Sequence, residues 1–277
     1  MKQPLPSPGL DTASPSGSAG STTMNAGSTT MNAGSTTMNA GSATMETGST
    51  STVRVLGVDG CPGGWIGAWL VDDAVSVVVA TTIAEVVARV EGCVVVGIDM
   101  PMGLPDSGDQ RAAEALARRR LRPGRKSSVF PTPMRVACEA PTWAEANALN
   151  KQACGRGLSH QGFGLTRKIL EVDAWVRSVP GVTVAEVHPE VSFAAIDPSC
   201  VVASKKTAAG RAARVSALES TGMSLPAVVR GPGYAVDDLL DACVVAWSAR
   251  RVAVGEAVSL PDPPEVFSDG IPAAIRV

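Results

Sequence analysis

The chain has 277 residues, 45% of them hydrophobic and 18% charged, enough for one large or two modest domains around a sizeable core. A net charge of -2 excludes a globally basic nucleic-acid binder, so any anion-binding surface has to be local. No run approaches the roughly 18 apolar residues of a membrane span. The opening MKQPLPSPGLDT lacks the apolar stretch of a secretory signal, so a cytoplasmic protein is expected.

In chain order, the first feature is a repeat. Gly20, Gly27, Gly34, Gly41 and Gly48 punctuate S-T-T-M-N-A units that decay to S-A-T-M-E-T. The seven-residue period has no pair of large apolar side chains per unit, so it is not a coiled coil. Gly, Ser, Thr and Asn bury too little surface to offset chain entropy. Residues 1–50 are therefore expected to be a disordered low-complexity tail, and residues 51–277 the folded domain.

From Val53 the character changes. VRVLGVDG is a β-branched run, followed after the CPGG turn by apolar runs over residues 64–71 and 74–80. Two closely spaced turns predict a three-strand antiparallel meander. Residues 82–90 show helical spacing at Ile83, Val86, Val87 and Val90, with Thr82 as N-cap. Residues 93–98 are wholly apolar and read as a strand buried on both faces, ending at Asp99. Residues 109–121 read as a helix that ends near Pro123-Gly124. The pattern is an α/β domain with a mixed sheet.

Carboxylates collect at the predicted strand ends. Asp59 and Asp99 each close a strand, and ligand sites of α/β sheets gather at those ends. Glu186 lies in the later run VTVAEVHPE, with Glu190 beyond it. In VDDLLDACVVAW, Asp241 shares a helix face with Asp237 or Asp238, which lie four and three residues before it. Each acid alone also fits a turn, a strand end or, for Asp237, an N-cap; the joint pattern favours a site. Clustered carboxylates repel, and a divalent cation with a taste for hard oxygen ligands, Mg²⁺ or Mn²⁺, relieves that repulsion.

GVDGCPGGWIGA, IDMPMGLP, SSVFPTP, SHQGFG with KILEVD, EVHPEVSF, SKKT and DDLLDA occur in this order over residues 53–277. In these blocks the chain resembles the bacterial and archaeal family called domain of unknown function 429. That resemblance implies a ribonuclease H-like fold: three antiparallel strands, then parallel ones, with flanking helices and a helical insertion over about residues 104–180. It also implies a nuclease, with Asp59 on the first strand, Asp99 after the fourth, and Asp238 and Asp241 on the last helix as metal-binding acids. Glu186 is a further catalytic candidate.

Residues 111–135 carry Arg111, Arg118, Arg119, Arg120, Arg122, Arg125, Lys126 and Arg135 against the single acid Glu114. Arg118, Arg119, Arg120 and Lys126 fit a phosphate-backbone surface, and equally a solvated helix face. Ser127, Ser128 and Arg135 in SSVFPTPMR could add contacts to a phosphate. SKKT, with Lys205 and Lys206, opens a helix whose N-terminus attracts anions; without preceding glycines it is not a Walker loop. His188 reads as structural or substrate-orienting, and Gln161 and Trp65 as base or sugar contacts, with Trp65 equally at home in the core.

The expected function is hydrolysis of nucleic-acid phosphodiester bonds with two Mg²⁺ or Mn²⁺ ions. Two alternatives remain: an actin- or sugar-kinase-like phosphotransferase using ATP, and a non-catalytic nucleic-acid binder. The first needs a glycine-rich adenosine site, for which Gly231-Pro232-Gly233 is too little, and the second has no use for clustered carboxylates.

Overall fold

The computed structural model describes residues 52–277 apart from 109, 179 and 180. The tail expected over residues 1–50 lies outside the described residues. So do the expected first residues of the domain and of the 109–121 helix, and the expected last residue of the insertion.

The meander forms where the turns predict it, as β1 (Arg54–Cys61), β2 (Gly64–Val71) and β3 (Ala74–Ala80). Asp72 turns β2 into β3 at φ 52°, a left-handed conformation that Asp tolerates better than most residues. Thr82 then caps α1 (Ile83–Ala88), its hydroxyl accepting from Glu85 N–H while Glu85 reaches back to the cap backbone. The chain returns as β4 (Val95–Ile98), which pairs parallel with β1, Val55 opposite Val95 and Ile98 opposite Val58.

Between β4 and the next parallel strand lie α2 (Ala112–Arg120), a 3₁₀ turn (Pro123–Ser128), α3 (Arg135–Cys138), α4 (Trp143–Cys154) and α5 (His160–Ser178). Then come β5 (Thr183–Glu186), α6 (Pro189–Ile196), α7 (Ala208–Ser220), α8 (Val236–Ala253), β6 (Ser259–Val266) and β7 (Pro272–Arg276). The seven strands make one mixed sheet in the order β3-β2-β1-β4-β5-β7-β6. Its first five strands match the ribonuclease H-like arrangement; the β6–β7 hairpin widens the sheet beyond β5.

Strand side chains alternate between faces, and the core divides accordingly. Val55, Ile66, Val95 and Ala185 pack on one face against Leu239, Ala242, Cys243 and Ala246 of α8. Leu56, Val58, Val96 and Ile98 pack on the other against Ile83 and Val86 of α1 and Ile169 and Val172 of α5. Helix α8 lies very close to the sheet because β1 and β4 offer glycines beneath it. A Cβ on Gly57 would stand 2.1 Å from Ala246 N and 2.3 Å from Ala242 O, and one on Gly97 2.9 Å from Val245 Cγ1. The six cysteines are free thiols, and none of the described helices is long and apolar enough to cross a membrane.

Candidate metal centre

The close approach of α8 assembles the site. Asp59 lies two residues past Gly57 and Asp99 two past Gly97, so both carboxylates project on the face that α8 covers. The backbone N–H of Asp99 still donates to Val58 O at 2.9 Å, which prolongs the pairing and holds the two strand ends together. Asp241, in the second turn of α8, is delivered from above. Carboxylate oxygens of Asp59, Asp99 and Asp241 all lie within 4.8 Å of one another.

Two of these groups are withdrawn from water, Asp59 at 8% exposed and Asp241 at 3%, and Asp99 is half-buried. Burial, then the neighbouring Asp99 and Asp241, raises the Asp59 carboxyl well above the ordinary carboxylate range. Asp99 is raised likewise, by burial first and by Asp241 second. Burial pushes Asp241 up to about 6, against the opposing pull of Lys205. Lys205 Nζ donates to Asp241 Oδ2. Burial alone would lower the lysine, but Asp241, Asp59 and Asp99 outweigh it and hold Lys205 above its ordinary value. Three converging hard oxygen donors, one of them paired with the Lys205 ammonium, fit a divalent cation of the Mg²⁺ or Mn²⁺ kind.

A family model described as "Protein of unknown function (DUF429)" matches residues 57–266. The chain belongs to this family. No curated protein and no solved structure matches it. In this DUF429 chain the matched span contains all three clustered aspartates, both strand glycines and Lys205.

A pocket of about 140 Å³ opens beside Asp59 and Asp99, between the carboxyl ends of the strands and the helical segment. Met100, Pro101, Val129, Phe130, Leu165 and Ile275 supply its apolar walls. Lys168 of α5 lines it too, its ammonium donating to Gly64 O and lying 4.2 Å from the centre of the Trp65 ring. Glu114, Thr132, Glu186 and His188 are its further polar lining. Burial lowers the His188 pKa.

The other acids named from the sequence have different surroundings. Glu186 pairs with Ile98 in the β4–β5 register, so its side chain projects on the face opposite the trio. There its oxygens accept from Arg111 at 2.6 and 2.9 Å and from Met102 N–H at 2.9 Å. Burial raises Glu186, and Arg111 opposes the shift. Asp238 stays outside the trio because its Oδ2 accepts from Ala235 N–H at 2.8 Å, closing the first turn of its own helix. Ala235, not Asp237, is the N-cap. Glu190 accepts both its hydrogen bonds from Arg214 at 2.8 Å, a buried pair between α6 and α7.

The basic segment divides in the same way. Arg111 is 1% exposed and bridges Glu114 and Glu186, so it is interior structure. Arg118 donates to Val129 O at 3.0 and 2.8 Å and to Gln110 Oε1 at 3.1 Å, pinning the loop after its helix. Arg135 pairs with Asp173 at 3.1 Å and Asp269 at 2.6 Å. Arg119, Arg120, Arg122 and Lys126 face solvent, as does Ser127, and none of these lines the pocket. Ser128 Oγ donates to Arg125 O at 2.8 Å. In SKKT the N-cap is Thr207, whose hydroxyl accepts from Gly210 N–H at 3.1 Å; Lys205 turns to Asp241, and the Lys206 side chain is exposed. Trp65 is core, its indole N–H donating to Glu171 at 3.0 Å, and Gln161 is exposed.

Three site features escaped the sequence reading. Lys168 sits in the quoted KILEVD block, yet only the fold carries it to Asp59 and Gly60. The Arg111–Glu186 pair joins residues 75 apart, which no local pattern reveals. The third, the repeated Gly-x-Asp of β1 and β4, left a signal in the sequence that went unread: it marks where a helix rests on strands that each end in an acid.

Proposed function

We propose that this chain is a metal-dependent hydrolase of nucleic-acid phosphodiester bonds. The observation that carries the reading is the convergence of three carboxylates, buried or half-buried, from the ends of β1 and β4 and from α8 on one point at the carboxyl end of the sheet. Asp59, Asp99 and Asp241 would hold one or two Mg²⁺ or Mn²⁺ ions. Bound there, the metal supplies Lewis-acid polarisation of a phosphoryl oxygen and a water of lowered pKa.

The chain's own residues do the rest. The carboxylates stay poised because α8 cannot move off the sheet without exposing Leu239, Leu240 and Ala246. Lys168, at the pocket rim, offers its ammonium to a phosphate oxygen beside Asp59. Lys205, which donates to Asp241, would keep a second positive charge near the developing charge of the reaction. The exposed Arg119, Arg120 and Lys126 are left for sequence-independent backbone contact at a distance from the chemistry.

The test is incubation of the full chain with labelled single-stranded RNA and DNA, duplexes and hybrid in Mn²⁺. The reading expects cleavage of at least one substrate, abolished by chelator and by Asp59→Asn. Cleavage that survives Asp59→Asn at the wild-type rate, or none on any substrate by protein that binds Mn²⁺, overturns it.

A further inference from the structure

We propose that Phe130 is a stacking platform for an unpaired base, and that a single nucleic-acid strand runs from the carboxylate trio across its ring into a second cavity. The proposal rests on the hydrolase reading for the position of the phosphate and on the surroundings of Phe130 for the base.

The cavity beside the trio has a neighbour. A second one, of about 170 Å³, lies between residues 130–134 and the turn from α4 to α5, with Pro131, Met134 and Leu158 among its walls. Phe130 and Thr132 line both cavities. Thr132 is buried and its hydroxyl donates to Glu114 Oε1 at 2.5 Å, so the half-buried Phe130 ring is the apolar surface that the two cavities share. Each has room for one flat ring system, since an apolar cavity of roughly 150 Å³ takes up benzene.

Phe130 is an aromatic left out of the core. Among the described residues it belongs to none of the four apolar clusters, whereas Phe193 and Phe163 each pack in one. The segment that carries it is nevertheless firmly held. Val129 O accepts from Arg118 at 3.0 and 2.8 Å, and Met134 N–H donates to Asn150 Oδ1 at 2.9 Å. Val129, Thr132 and Met134 are buried, and Pro131 and Pro133 fix the backbone between them. A rigid backbone thus presents a ring whose apolar surface is only partly covered. A base laid on that ring covers the rest and adds stacking, and since every base has a π-face the contact is blind to sequence.

A base on Phe130 keeps its phosphate in the cavity that Asp59, Asp99 and Lys168 also line. The next nucleotide enters the second cavity. In a duplex both faces of each base are already covered by its neighbours. The substrate is then a single strand, a chain end or a flipped nucleotide.

The experiment measures binding to the full chain in chelator, by fluorescence anisotropy, of labelled oligothymidylate, oligouridylate, a hairpin duplex, and a strand with tetrahydrofuran in place of every nucleoside. Phe130→Ala should weaken at least one base-bearing single strand about tenfold and leave the base-free strand and the hairpin unchanged. Whichever single strand responds identifies the sugar. The melting temperature and the salt dependence of binding should not move, because neither a core contact nor a charge is lost. Phe130→Tyr, which keeps a ring, should bind like the wild type. Phe130→Leu keeps the apolar bulk without the ring; it should be as weak as the alanine variant, and it decides the matter if that variant melts early. Binding of both base-bearing strands by Phe130→Leu at wild-type strength, or an equal loss on the base-free strand, overturns the platform. So does a wild type that binds neither strand. Cleavage of either strand in Mn²⁺ by protein indifferent to position 130 keeps the hydrolase reading and removes the platform. Ring-dependent binding with no cleavage of any strand does the reverse.

Discussion

Lys205 donates to Asp241 across a part-buried gap, so one member of the aspartate trio already holds a positive charge. The ammonium comes from the loop before α7 and the carboxylate from α8, and the pairing holds the loop over the site. A lysine in that position does for the empty trio part of what a bound cation does for the loaded one.

The two cations therefore compete. Removing the ammonium by Lys205→Met should tighten Mn²⁺ binding about tenfold, about a third of the roughly 4 kcal/mol between unit charges 4 Å apart near a protein surface. The same variant should turn over phosphodiester substrate more slowly, because a positive charge near the reaction is lost. Weaker Mn²⁺ binding would mean that Lys205 positions Asp241 and does not oppose the metal.

The raised carboxyls make stability depend on pH in a definite direction. Asp59, Asp99 and Asp241 keep protons in the folded state to higher pH than the ordinary value of about 4. Through that window the folded state binds more protons than the unfolded one, so metal-free stability falls as pH rises. Asp59→Asn removes one like charge and should melt at or above the wild type at about pH 8 in chelator, with the difference shrinking towards about pH 4. Thermal melts of both proteins at the two pH values check this; a variant that is much less stable at high pH would make Asp59 a structural turn residue.

Gly57 is the position where the packing tolerates least. Gly57→Ala sets a methyl 2.1 Å from Ala246 N, and since backbone stands in the way no rotamer change relieves it. Denaturant unfolding should register a loss of about 3 kcal/mol or more. A loss under about 1 kcal/mol would show that α8 lies farther from β1 than described.

Arg118 separates from its two neighbours. Arg119→Ala with Arg120→Ala should leave stability alone and flatten the salt dependence of nucleic-acid binding by up to roughly two units of slope. Arg118→Ala should instead destabilise the fold, because Val129 O and Gln110 lose their donor. Filter binding across a salt series, with a melt for each variant, distinguishes the two. An unchanged slope in the double variant makes that helix face mere solvated surface.

Much of the fold was legible because its signals are local. The meander strands, the Thr82 cap and the buried β4 follow from turn residues, a hydroxyl and an apolar run. Helix ends shifted by a few residues, as where α2 opens at Ala112 with Gln110 and Arg111 before it. The trio was legible as well, since Asp59 and Asp99 close strands and Asp241 heads a long helix. What misled was reach. Glu186 looked like Asp59 and Asp99 in sequence, but a register that pairs it with Ile98 sets it on the other face of the sheet from the trio, where it pairs with Arg111 and lines the pocket beside Asp59 and Asp99. Asp238 looked like Asp241 until its carboxylate closed on Ala235 N–H. A run of arginines looked like one surface, yet Arg111, Arg118 and Arg135 each find a specific interior or loop partner.

Mn²⁺ titration, followed by calorimetry near neutral pH, bears most directly on the central claim. The account predicts saturable binding by the wild type, lost or reduced at least about tenfold in each of Asp59→Asn, Asp99→Asn and Asp241→Asn, and retained in Glu186→Gln. It also predicts a metal-dependent rise in stability, about 2.7 kcal/mol at a hundredfold excess over Kd, by mass action alone. Wild-type protein that binds no Mn²⁺, or binds it equally well without Asp59, contradicts the account.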